Sequence, residues 1–140
     1  MNTTPFVIEH TFNTKVEKIW NAITDKDEMK KWYFDIAAFK PESGFEFSFT
    51  GENEGKVYVH LCKIIEVIAF KKLSHSWTYK DYEGYSVVTF ELFGEDNKTT
   101  LRLTHTGLES FPDIKDFKRE NFEAGWTYII GTSLPAYIKE

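Results

Sequence analysis

From Ile36 to Thr106 the chain changes side every second residue, and the 19 residues that close it, FEAGWTYIIGTSLPAYIKE, carry their large apolar groups at helical spacing instead. Phe45, Phe47 and Phe49 alternate with Glu46 and Ser48; Val57, Val59 and Leu61 alternate with Tyr58, His60 and Cys62. The apolar parity shifts at Ile64-Ile65, the mark of a bulge or bend. Leu73 to Tyr79, then Val88, Phe90 and Leu92, then Leu101, Leu103 and His105 give further strands. The stretches Gly51 to Gly55, KDYEG and GEDNK act as turns. Such a meander makes a curved antiparallel sheet with one face to cover.

Only the last segment is long enough to cover that face, and a helix from about Asp113 to Ile138 is expected there. Phe122, Trp126, Ile129, Ile130, Leu134 and Tyr137 fall on one broad arc of its wheel. Gly131, Ala124, Pro135 and Gly125 gather on the arc opposite Trp126, a small-residue back that a second subunit of a homodimer fits. Pro135 is placed to kink the final turn by depriving the Gly131 carbonyl of its donor.

At the other end, Phe6, Ile8, His10 and Phe12 alternate with Val7, Glu9 and Thr11 as a first strand. Thr14 and Glu17 have capping-box spacing ahead of Val16, Ile19, Trp20 and Ile23, so a helix is expected. Asp25 and Glu28 repeat the signal before Met29 and Trp32. Strand, two short helices, antiparallel strands and one long helix make an α+β fold with the helices segregated to one side of the sheet. One domain over residues 1–140 is expected, able to bury roughly two-thirds of its unfolded surface.

The chain holds 13 Phe, 7 Tyr and 4 Trp, enough to build a bulky core or line a large pocket. Large side chains on facing helix and sheet hold the two apart, and an apolar, aromatic cavity between them is the usual composition of a small-molecule site. Its net charge of −5 and the absence of a basic stripe argue against nucleic-acid binding. No apolar run approaches the ~20 residues of a membrane-spanning helix. The start, MNTTPFVIEH, has neither the basic nor the apolar region of a signal peptide. The single cysteine, Cys62, fits a reducing compartment, so a cytoplasmic location is expected.

The stretches TKVEKIWNAITDKDEMKKWY, KIIEVIAFKKLSHSWTY, TTLRLTHTGL and EAGWTYIIGTSLPAYI, in this order and spacing, resemble the domains similar to the C-terminal half of the Hsp90 co-chaperone Aha1. These belong to the START-like, SRPBCC or Bet v 1-like superfamily. The resemblance runs from about Phe6 to Ile138. It implies a helix-grip fold, in which a curved antiparallel sheet wraps a long C-terminal helix around a hydrophobic cavity, and it implies no shared catalytic set. Two departures stand out. Nothing here corresponds to the separate N-terminal domain through which eukaryotic Aha1 stimulates its chaperone, and Cys62 stands where many relatives carry Gly before KIIEV.

The cavity-lining set expected from the aromatic pattern and the resemblance is Trp32, Phe47, Phe49, Trp77, Tyr79, Phe90, Leu103, His105, Trp126 and Ile130. Tyr79 and His105 are the polar groups expected to orient a ligand. No catalytic residue, cofactor or metal is expected. The histidines at 10, 60, 75 and 105 lack zinc spacing and read as ordinary polar residues of the sheet. His60 and Cys62 share a strand face, which permits a thiolate–imidazole pair; a small buried thiol beside a half-exposed histidine is the favoured reading. Ser74 and Ser76 point away from His75, since strand neighbours face opposite sides. Glu9, Glu46, Glu91, Glu120 and Glu123 read as solvated. The leading functional reading is binding of a small apolar or amphipathic ligand. The alternative is an Hsp90-related or stress-response accessory protein, and an enzyme of the cyclase or hydratase type ranks third.

Overall fold

The structure, a computed structural model, describes residues 3–138. Strand β1 (Phe6–Phe12) is followed by helices α1 (Val16–Thr24) and α2 (Lys26–Trp32). Strands β2 (Glu46–Asn53), β3 (Lys56–Ile68), β4 (Lys72–Tyr79), β5 (Ser86–Glu95) and β6 (Lys98–Thr106) then form a meander. The six strands make one antiparallel sheet in the order β1-β6-β5-β4-β3-β2. The C-terminal helix consists of α3 (Arg119–Tyr128), a wide π turn (Ile129–Ser133) and α4 (Leu134–Ile138). This is the α+β helix-grip architecture.

The inner face of the sheet is laid out by register. Tyr79 lies opposite His60, and His60 opposite Phe49, so these three side chains form one row across β4, β3 and β2. Phe6, His105, Val88, His75 and Ile64 form the next long row, from β1 to β3. In β3 the buried alternation belongs to Tyr58, His60, Cys62 and Ile64, whereas Val57 and Leu61 are exposed. Val57 and Leu61 therefore take the outer face, while Ile64 stays on the inner one with the aromatic residues. The expected parity change is a bulge between Ile64 and Glu66. Ser76 Oγ accepts from the Lys63 N–H at 2.9 Å just ahead of it.

Several local expectations are corrected. Strand β2 runs on through Gly51, and the turn is confined to Glu54 and Gly55, both at positive φ. Thr14 forms no capping box: Lys15 occupies the N-cap with no side-chain bond, while the Thr14 carbonyl accepts from Thr99 Oγ1 at 2.9 Å. Asp25 does cap α2, accepting from the Asp27 N–H at 2.8 Å, while its own N–H closes α1 on Asn21 O. Such a cap contributes ~1 kcal/mol.

The long helix does not begin near Asp113. Residues 107–118 instead make two short 3-10 turns that bury Leu108, Phe111 and Phe117 at one end of the sheet. Pro112 cannot continue a ladder begun before it, and Lys118 is extended, so the helix starts at Arg119. Ahead of Pro135 the Leu134 N–H reaches back five residues to Ile129 O, so the helix widens there without the sharp kink expected.

The two halves of the C-terminal helix meet different surroundings. Its second half is sealed against α1 and α2: Ile130 and Leu134 are fully buried, each contributing roughly 1.5–3 kcal/mol. Ser133 Oγ donates to Trp32 O at 2.7 Å and Tyr137 OH to Glu28 Oε1 at 2.9 Å. Its first half crosses the open end of the sheet.

Candidate functional site

Two adjoining cavities open at this end of the sheet, the inner one beneath that first half and the outer one between β2, β3 and the second 3-10 turn. The inner one, about 180 Å³, lies against Trp77, Tyr79, Phe122, Gly125, Trp126 and Ile129. The outer one, about 250 Å³, lies against Gly51, Glu52, Tyr58, His60, Tyr79 and Phe117. Phe34, Tyr79 and Asp116 border both. Phe34 comes from the irregular segment after α2 and stacks on Phe49 with ring centroids 4.3 Å apart.

Of the residues expected from the sequence, Trp77, Tyr79 and Trp126 are brought together on the inner cavity. Phe49 stands one layer behind, stacked on His60 at 4.4 Å. Phe47 packs edge-on against Phe39 and His75. Trp32 donates its indole N–H to Ala22 O at 2.9 Å within the helix layer. Phe90, Leu103 and Ile130 are buried in the core and border neither cavity. They lie toward the sealed end, where α1, α2 and the second half of the helix fill the groove.

His105 is fully buried, and both its ring nitrogens are engaged. Trp126 Nε1 donates to Nδ1 at 2.9 Å, so the ring proton resides on Nε2 and is directed to Ser86 Oγ at 2.9 Å. Ser86 in turn donates to Trp77 O at 2.7 Å. His105 thus ties the helix to the sheet. Tyr79 accepts from Trp77 Nε1 at 3.0 Å and keeps its own proton.

Burial sets the ionisation of the interior. It lowers His60 and His75 to about 4, and with the neighbouring His75 it lowers His105 to about 3, so all three are neutral near pH 7. Burial pushes the Cys62 thiol well up, and with it the hydroxyls of Tyr33 and Tyr79. His60 and Cys62 do share a face, but a raised thiol beside a lowered imidazole is no thiolate–imidazolium pair. His60 is buried, not half-exposed. Among the described residues, the buried polar atoms Tyr33 OH and His60 Nδ1 have no hydrogen-bond partner.

At the mouth, Tyr58 OH donates to Asp116, and that bond, more than any burial, holds the phenol up at about 12. Asp116, Phe34, Phe117 and Gly125 were not singled out as lining in the sequence. Asp116 and Phe117 fell inside an expected helix, and Phe34 lies where no periodicity marks a face. Gly125 borders the inner cavity beside Trp126 instead of lying on the opposite face. Among the described residues no group of three or more His, Cys, Asp or Glu is gathered as a metal set, and no helix is long and apolar enough to cross a membrane.

The profile of the family described as "Activator of Hsp90 ATPase homolog 1-like protein" matches residues 13–139. The chain belongs to this family. Solved structures agree with that placement at the level of fold. CV1439 from Chromobacterium violaceum superposes with a TM-score of 0.81 at 16% identity, over 97% of each chain. DynU16, a protein of the dynemicin biosynthetic locus, gives 0.77 at 19% identity, covering 96% of this chain and 47% of its own. CalU16 from Micromonospora echinospora gives 0.75 at 20%, covering 96% and 75%. This AHSA1-like chain therefore spans about half the length of DynU16. Among curated proteins, none matches the sequence.

Proposed function

We propose that this AHSA1-like chain binds a small apolar or amphipathic molecule between its sheet and the first half of its C-terminal helix. The observation that carries the reading is the pair of adjoining cavities bordered in common by Phe34, Tyr79 and Asp116. Their walls are mostly aromatic, with a few polar groups, the composition of small-molecule sites. The sealed second half of the helix and the Trp126–His105 bond in its first half together fix the helix against the sheet beside the inner cavity. The reading assigns no catalytic role: burial suppresses the ionisation of the lone thiol, Cys62, so it is no activated nucleophile.

Native mass spectrometry of the purified protein tests this directly, with a retained small molecule as the expected result. Titration with the neutral fluorophore N-phenyl-1-naphthylamine is the second arm. Saturable binding that quenches tryptophan emission, and is lost in Gly125→Phe, supports the cavity. Equal binding by the wild type and this filled variant sinks it.

The second reading is an accessory interaction with an Hsp90-type chaperone. Besides the family description, it has in its favour an apolar depression of about 500 Å³ where Val16, Ile68, Phe70 and Phe93 meet, with Phe70 and Phe93 both exposed. Pull-down of purified Hsp90 and a changed ATPase rate are its expected signs; no interaction at micromolar protein ends it.

A further inference from the structure

The outer cavity has a chemistry that hydrophobic binding alone does not account for. Its rings are those of Phe34, Tyr58, Tyr79 and Phe117. Tyr79 and Phe117 stack at 4.6 Å, and Tyr58 meets them at 6.0 and 5.4 Å, so these three rings form one packed aromatic wall. Among the described residues, the charged side chains at this cavity are Glu52 and Asp116, with no lysine or arginine. Lys115, beside Asp116 in sequence, extends instead to Glu54 at 3.5 Å. Tyr58 OH donates to Asp116, and that bond fixes the direction of the carboxylate.

His60 supplies an independent sign. It lines the same cavity, is only 7% exposed, and among the described residues leaves Nδ1 without a partner. Gly51 makes this placement possible: a Cβ there would come within 2.9 Å of His60 Cε1. A neutral imidazole nitrogen that carries no proton offers a lone pair, and an N–H donor is its complement. Aromatic faces attract a cation through the ring quadrupole, more strongly where water is excluded. An anion here would meet two carboxylates and no basic side chain.

We propose that the outer cavity receives the ammonium group of an amphipathic organic cation, held among the rings beside Asp116, with its apolar body passing Phe34 and Tyr79 into the inner cavity against Trp77 and Trp126. The assignment rests on the ligand-binding reading above and goes beyond it by fixing the charge and orientation of the ligand.

The test uses three molecules of one shape: phenylbutylammonium, phenylbutanol and phenylbutyrate, titrated calorimetrically into the full chain near pH 7. The ammonium is expected to bind about tenfold more tightly than the alcohol, and the carboxylate most weakly. In Asp116→Asn the ratio of ammonium to alcohol affinity is expected to fall to about one. A wild-type-like circular dichroism spectrum shows that the variant is folded, and a ratio that stays at about tenfold overturns the assignment. Glu52→Gln, at an exposed position, is expected to weaken the ammonium about two- to threefold. An alcohol that binds the wild type as tightly as the ammonium overturns the cation assignment and leaves the cavity reading standing. Failure of all three to bind overturns both. Should Asp116→Asn not fold, added salt replaces it: salt that fails to weaken the ammonium more than the alcohol overturns the assignment.

Discussion

The indole N–H of Trp126 donates to Nδ1 of His105 at 2.9 Å, joining the C-terminal helix to the inner strand β6 in the floor of the groove. The bond selects one tautomer of His105 and, through Ser86, reaches the backbone of Trp77 on β4. Helix and sheet are therefore held at a fixed separation beside the inner cavity. The residue expected to orient a ligand orients the helix instead.

Trp126→Phe keeps most of the ring and removes the donor, leaving a buried nitrogen unpaired. A loss of ~1–3 kcal/mol in urea unfolding is expected. An unchanged midpoint would mean that the bond contributes nothing net.

Stability is expected to fall on mild acidification. His60 and His75 are held near 4 and His105 near 3 when folded, all below the ~6.5 of an unfolded chain. Below about pH 6.5 the unfolded state takes up protons that the folded state refuses. The stabilisation is complete above that pH and is lost as the pH falls toward 4, by up to roughly 1.4 kcal/mol per pH unit for each histidine involved. Urea midpoints measured from pH 7.5 to 4.5 check this; a flat profile from 6.5 to 5 contradicts it.

Gly125 lies inside α3, and a Cβ built there meets nothing within 4 Å. Gly125→Ala is expected to raise stability by roughly 0.5–1 kcal/mol, since alanine removes the entropic cost of an unneeded glycine. Thermal unfolding measures it. A destabilised variant would show that this stretch of helix needs glycine for close approach.

The Cys62 thiol is buried and its ionisation is suppressed. In the native protein at pH 8 its reaction with a disulfide reagent is expected to be at least ~100-fold slower than in urea, tracking unfolding. Fast labelling of the folded chain would place the thiol within reach of solvent.

The two-residue alternation of β5 and β6 and the single wide arc of Trp126, Ile130 and Leu134 were enough to specify sheet, helix and their mutual face. Each follows from local periodicity: burying one side of an element fixes which residues recur. The bulge after Ile64 was legible for the same reason, as a break in parity. The start of the last helix was not, because residues 113–118 have helical spacing on paper but turn to bring Phe117, with Phe111 just before them, against Tyr79.

The site divides along the same line. Trp77, Tyr79 and Trp126 were readable because strand and helix periods point them into the groove. Which other aromatics would be core was decided by where the helix is sealed, at Ile130 and Leu134, and that depends on α1 and α2 packing from far along the chain. Asp116, Phe34 and His60 border the outer cavity by tertiary proximity alone. Sequence by itself determined the elements, their faces and the family; only the tertiary structure decided where the groove stays open, because an empty volume is a property of surfaces brought together and no single segment encodes it.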